Sequence, residues 1–189
     1  MGRWQPDSRG RLQEAALTLY AERGFDQTTA AQIADRAGVT ERTFFRHFAD
    51  KREVIFGGSA VLQERIVTEV AGAPVTDGPL DAVSRGLDAA AEVLGQFRRD
   101  LTCQRQAVIA SNPELREREL AKLADYAAAV AEALRQRGVA EPQATLAAET
   151  GMTVLRVALQ RWANGDGSRD LPAIMRDSVA ELRAVTAGA

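Results

Sequence analysis

A single cysteine, Cys103, among 189 residues excludes an internal disulfide and a thiolate zinc site, and it suits a reducing compartment. Aromatic residues make up only 5% of the chain, which argues against an aromatic cage for a cationic ligand. One histidine, His47, leaves no paired metal-ligand spacing, and no nucleophile elbow, phosphate loop or HExxH helix occurs. No metal, cofactor or turnover chemistry is therefore expected. No apolar run approaches the roughly 20 residues of a membrane span. The opening Met1-Gly2-Arg3-Trp4-Gln5-Pro6 lacks an apolar signal core and the Ser/Thr of a myristoylation site, so a cytoplasmic protein with no membrane partner is expected. The net charge of −2 and pI near 5.6 exclude nucleic-acid binding through bulk positive charge; any such contact must rest on a local patch.

The residues that are abundant are helix formers: Ala, Leu, Arg, Glu and Gln dominate, and no hairpin signal lies between alternating segments. The fold expected is all-α, with about nine helices. Leu12, Ala15, Ala16 and Leu19 recur at helical spacing from about Ser8 to Arg23, and Gly24 is a left-handed stop. Thr29 and Gln32 have capping-box spacing for a short helix ending near Ala37, and Thr40 caps the next, which carries Phe44 and Phe48 on one face. A fourth helix is expected from Asp50 to about Val70, interrupted at Gly57-Gly58. After a turn-rich connector (72–79), five more are expected at Leu80–Arg98, Leu101–Ala110, Pro113–Arg137, Pro142–Ala163 and Leu171–Ala187.

The stretch from Ile33 to Phe48 has the mechanics of a helix-turn-helix. Ala34 is small where two helices cross, Gly38 allows the tight turn, and Val39, Phe44 and Phe48 lock the angle. This leaves the first turn of the second helix projecting outward, as a major-groove reader requires. The same αα-corner also occurs in helical proteins with no DNA role.

Thr28-Thr29, Gly38-Val39-Thr40, Phe45-Arg46-His47-Phe48 and Lys51 together resemble the signature of the tetracycline-repressor (TetR) family of transcriptional regulators, over roughly residues 8–56. The resemblance implies a DNA-binding domain over 1–56 and a ligand-binding and dimerisation domain over 57–189. It implies phosphate contacts from Thr29, Thr40, His47 and Lys51, and base reading by Glu41, Arg42 and Thr43, with Arg42 suited to guanine and Arg46 adding a further charge to the DNA-binding set. Phe45 stands where family members often carry tyrosine, which replaces a phosphate bond by an apolar contact. Outside the motif, His47 reads equally as a polar surface residue or a cap partner.

One short recognition helix buries too little surface to be selective, so a homodimer on a pseudo-palindromic double-stranded operator is expected. Leu155, Leu159, Trp162, Leu171, Ile174, Met175, Ser178, Val179 and Leu182 give the last two helices the apolar faces for a two-fold four-helix bundle, or for the chain's own core. An unknown small-molecule effector would sit among the middle helices, with Phe97, Cys103, Val108, Tyr126 and Trp162 as candidate liners. Cys103 reads more simply as a small buried apolar residue than as a sensor thiol. The Gly57-Gly58 break is a weak point at which ligand binding could tilt the fourth helix. The function expected is a repressor released by its ligand; a ligand-independent DNA-binding or adaptor protein is the alternative.

Overall fold

The computed structural model describes residues 7–96 and 98–188. Among these there are nine α-helices, one 3-10 turn and no strand. The helices are α1 (Ser8–Arg23), α2 (Ala30–Arg36), α3 (Glu41–His47), α4 (Ser59–Ala71), α5 (Pro79–Gly95), α6 (Arg99–Ser111), α7 (Pro113–Gln136), α8 (Gln143–Asn164) and α9 (Leu171–Ala187), and the 3-10 turn is Glu53–Phe56. Two compact units result. One comprises the described residues up to Gly58 together with Asp100–Glu119, and the other Ser59–Arg99 and the chain from Leu120 onward.

Local chemistry accounts for most helix limits. Asp7 caps α1 by accepting from the Gly10 amide at 2.8 Å, and the Gly24 amide closes the helix on Tyr20 O at 3.0 Å. The Thr29 capping box forms in both directions: Gln32 N donates to Thr29 Oγ1 at 3.2 Å and Thr29 N to Gln32 Oε1 at 3.0 Å. Gly38 has φ of 66°, a left-handed turn costly for any residue with a Cβ, and Val39 N then reaches Ala34 O at 3.0 Å. Asn112 caps α7 through the Leu115 amide at 3.1 Å.

The helix expected from Asp50 to about Val70, interrupted at Gly57-Gly58, is divided there into a 3-10 turn and a separate α-helix. Asp50 does act as a cap, accepting from the Arg52 and Glu53 amides at 2.7 and 3.1 Å, but the segment it opens is the 3-10 turn. Val54, Ile55 and Phe56 are all buried, and three successive buried side chains do not fit one face of an α-helix. Gly57 follows because space demands it: a Cβ there would lie 2.8 Å from the Phe48 ring. Helix α4 starts afresh at Ser59.

The smaller unit encloses Leu12, Ala16, Tyr20, Phe25, Ile33, Phe44, Phe48 and the 3-10 turn, with Val108 and Ile109 of α6 and Leu115 of α7 completing its core. In the larger unit Ile66, Val70, Leu87, Tyr126, Leu134, Met152, Leu155, Trp162, Leu171 and Met175 form a second core.

Candidate nucleic-acid interface

Helix α3 has only seven residues, and its position is set from beneath. Phe44 is fully buried, and its ring lies 5.7 Å from Phe48 and 5.3 Å from Phe45. Thr40 Oγ1 accepts from the Thr43 amide at 3.2 Å and pairs with the Thr43 hydroxyl at 3.0 Å, fixing the first turn. Glu41 and Arg42 are exposed at that turn, and no described residue bonds the Arg42 or Arg46 guanidinium. Thr43 is half-buried, Thr29 and Thr40 are exposed at the starts of α2 and α3, and Phe45 is 52% exposed. Two cations without a protein partner among the described residues are thus presented beside two capped helix starts and an exposed aromatic ring.

His47 is half-buried, with Nε2 at 2.8 Å from Ser8 Oγ. Partial burial, then the charges of Arg46 and Arg9, hold its pKa below the ordinary imidazole value, so the ring is neutral at pH 7. The bond to Ser8 occupies one ring nitrogen and leaves the other. Arg9 packs over the Phe48 ring at 5.6 Å and donates to the Gly57 carbonyl. The sequence offers no local signal for Ser8 and Arg9, which come to this face from α1, 39 residues from His47 in the case of Ser8.

Lys51 is engaged within the protein. Its ammonium donates to the carbonyls of Phe25 at 2.8 Å, Thr28 at 3.1 Å and Asp26 at 3.3 Å, and it lies 4.2 Å from the centre of the Phe25 ring. Three carbonyls use all three of its N–H donors. Lys51 O accepts from the Tyr20 hydroxyl at 2.5 Å, and burial, reinforced by Asp50, pushes that phenol's pKa up. A brace therefore runs from α1 through Lys51 to the loop that delivers Thr29.

Two arginines also hold the 3-10 turn: Arg105 donates to Ile55 O at 2.9 Å and packs over Phe56, and Arg118 pairs with Glu53 at 2.5 Å. These partners are 50 and 65 residues apart, beyond any spacing rule that reads a sequence locally.

The four described candidate effector residues divide between the two units. Phe97 lies outside the described residues. Cys103 is half-buried on α6, and Val108 belongs to the core of the smaller unit. Tyr126 and Trp162 belong to the core of the larger one, and the Tyr126 hydroxyl donates to Ser59 O at 2.9 Å. Of the four described, Trp162 borders an open cleft of about 430 Å³ between the ends of α5 and α8 and the start of α9. A second void, beside Val83 and Gly151, has about 10 Å³, room for a single water.

Of the candidate dimer residues, Leu155, Trp162, Leu171, Ile174, Met175 and Ser178 are buried inside the chain, while Leu159, Val179 and Leu182 are partly buried against the same core. Leu146 on α8 and Val185 on α9 are the large apolar side chains these two helices leave exposed, at 62% and 79%.

No group of three or more potential ligands among the described residues could hold a metal, and no described helix is long and apolar enough to cross a membrane.

A buttressed helix pair with a free, partly cationic first turn, joined in one chain to a larger helical unit, defines a helix-turn-helix regulator. Residues 12–56 match the model of bacterial regulatory proteins of the tetR family, and residues 77–187 match the MftR C-terminal domain. The chain belongs to the tetR family of bacterial transcriptional regulators, a family of non-enzymatic proteins. It is 37% identical over 91 residues to the HTH-type transcriptional regulator TcmR of Streptomyces glaucescens, covering 48% of this chain and 39% of that protein. With the HTH-type transcriptional repressor KstR2 of Mycobacterium tuberculosis it shares 45% over 47 residues, 25% of this chain and 24% of the relative. The chain thus matches less than half the length of these curated relatives. Among solved structures, FadR of Bacillus subtilis in complex with stearoyl-CoA superposes with a TM-score of 0.63 at 21% identity, over 92% of this chain and 96% of that one. Thermus thermophilus FadR in complex with lauroyl-CoA gives 0.54 at 25% identity, over 93% of each chain.

Proposed function

We propose that this regulator binds a pseudo-palindromic double-stranded operator as a homodimer, represses transcription there, and is released when a small molecule binds the larger helical unit. The observation that carries the DNA reading is the first turn of α3. Arg42 and Glu41 stand exposed beside two capped helix starts, on a helix whose inner face is locked by Phe44 and Phe48. A planar guanidinium with no intramolecular partner is the group that reads guanine O6 and N7 bidentately, and Thr29, Thr40, Arg46 and the free nitrogen of His47 supply phosphate contacts. Thr43 and Phe45 complete the base-facing set, the ring meeting a thymine methyl.

Repression and ligand release draw on the relatives: KstR2 is a repressor, and the two FadR structures hold stearoyl-CoA and lauroyl-CoA. Dimerisation is supported by the small surface of one recognition helix and by the exposed Leu146 and Val185 on α8 and α9.

The decisive experiment is selection of bound fragments from a random DNA pool, followed by Arg42→Ala. A two-fold consensus is expected, and the variant loses about 1–3 kcal/mol of discrimination at one position of each half-site. Absence of a consensus, or equal weakening on specific and random DNA, would refute the assignment.

A further inference from the structure

The cluster where α1 meets the end of α3 holds a titratable ring in a setting that a simple phosphate donor does not need. His47, the last residue of α3, is half-buried, with Nε2 at 2.8 Å from Ser8 Oγ of α1. Arg46 stands beside it on α3 and Arg9 beside Ser8 on α1, and among the described residues these two positive charges are the ones that act on the ring. Arg9 is kept close by the Phe48 ring and by the Gly57 carbonyl, which is all that the turn before α4 adds to the cluster. Burial first, then the two guanidinium charges, keep the free ring neutral. Ser8 is a partner that suits either state of the ring. Its hydroxyl donates to a bare Nε2 and accepts from a protonated one, whereas a carbonyl in its place would serve only the protonated atom. Protonation of His47 therefore costs no hydrogen bond inside the protein.

We infer that the Ser8–His47 pair takes up a proton from solvent when a DNA phosphate docks against it, so that each half-site is held more tightly as pH falls. The inference rests on the reading of this face as the DNA interface, and it makes Ser8 a positioning residue there. A phosphate at Nδ1 brings negative charge to the ring, accepts its N–H and offsets the guanidinium of Arg46, which has no partner among the described residues. The imidazolium then donates through Nε2 to Ser8 Oγ and through Nδ1 to the phosphate, and each protomer gains one cation at its interface. The competing arrangement is a neutral ring that donates from Nδ1 to the phosphate while Nε2 accepts from Ser8. It binds DNA with no proton uptake.

His47 is the sole histidine of the chain, so its ring C–H signals are followed by proton NMR without ambiguity. The full chain is titrated with acid alone and then bound to a random-sequence duplex of about 30 base pairs, since a phosphate contact does not depend on sequence. The free ring should titrate below 6.5 and the bound ring clearly above the free one. Affinity for the same duplex should rise at least about fivefold from about pH 8 to about pH 6, and the slope of log affinity against log salt should steepen by up to about one per protomer. His47→Gln keeps an N–H donor but cannot titrate, and it should lose most of that rise. Ser8→Ala should lower the pKa of the bound ring and Ser8→Thr restore it, whereas a hydroxyl that serves only α1 would leave that pKa unmoved in both. Equal titration of the free and bound ring would overturn the inference, as would a pH dependence that survives His47→Gln. Failure to bind any duplex would refute the DNA reading along with it, while binding without proton uptake refutes this inference alone.

Discussion

Lys51 and His47 are both polar residues at the edge of the proposed DNA-reading face, yet the structure gives them different work. With three carbonyls around its ammonium, Lys51 has no donor left for a phosphate unless it abandons the loop it braces. Lys51→Met should therefore lower stability by about 2 kcal/mol, the range for hydrogen bonds to a charged group, seen as a fall in melting temperature. It should leave the slope of log affinity against log salt unchanged; a slope smaller by about one would instead make Lys51 a phosphate ligand. His47 is held neutral, its folded pKa lying below the unfolded value of 6.5. Between those two values the unfolded chain binds more protons than the folded one, so this contribution is present above pH 6.5 and is lost as pH falls through the folded pKa. Chemical denaturation at a series of pH values should show the decline, and His47→Gln should flatten it. An unchanged profile in the variant would assign the dependence to other groups.

Among the elements, the 3-10 turn and its two glycines separate into distinct roles. A Cβ at Gly57 would strike the buried Phe48 ring at 2.8 Å and Gln13 at 2.9 Å, whereas one at Gly58 would meet nothing within 4 Å. Gly57→Ala should cost about 1–3 kcal/mol through overpacking. Gly58→Ala should be neutral or stabilising by up to about 1 kcal/mol, through a less flexible unfolded chain. Thermal melts of the two single variants measure this, and equal effects would show that the close approach at Gly57 relaxes freely. This contrast also marks how far the sequence could be read. Helices α1, α2 and α3 were legible because each carries its own cap or stop: Gly24, the Thr29 box and Thr40. The break at residues 53–58 was legible only as a pair of glycines, because what sets it is the burial of Val54, Ile55 and Phe56 by residues distant in sequence. The same limit applies to the site. Exposure of Arg42 followed from helical period, while the bonds of Lys51 and His47 to α1 and its loop did not, since neither has a local signature.

For the whole molecule, the apolar residues of α8 and α9 divide between an internal core and an external remainder. Six of the nine residues expected at a dimer interface are buried in the chain itself, so a partner would have to pack on what is left, chiefly Leu146, Val185 and the half-buried positions between them. The double variant Leu146→Glu, Val185→Glu should keep its fold by circular dichroism and sediment as a monomer. Its affinity for the selected operator should fall at least about tenfold, since each half-site would bind alone. A variant that stays dimeric would place the interface elsewhere.

The smaller unit closes on Val108, Ile109 and Leu115, which lie far beyond its helix-turn-helix in the chain, with 41 residues of the other unit, Ser59–Arg99, in between. During synthesis its first 58 residues leave the ribosome with the base of their core unfilled, and at about 5–20 residues per second several seconds pass before Leu115 is made. A chimera that transplants this reader onto another sensor by cutting at Gly58 would therefore carry away an unfinished fold. A working graft needs Asp100–Glu119 as well, so specificity in this chain is portable only as two separate pieces.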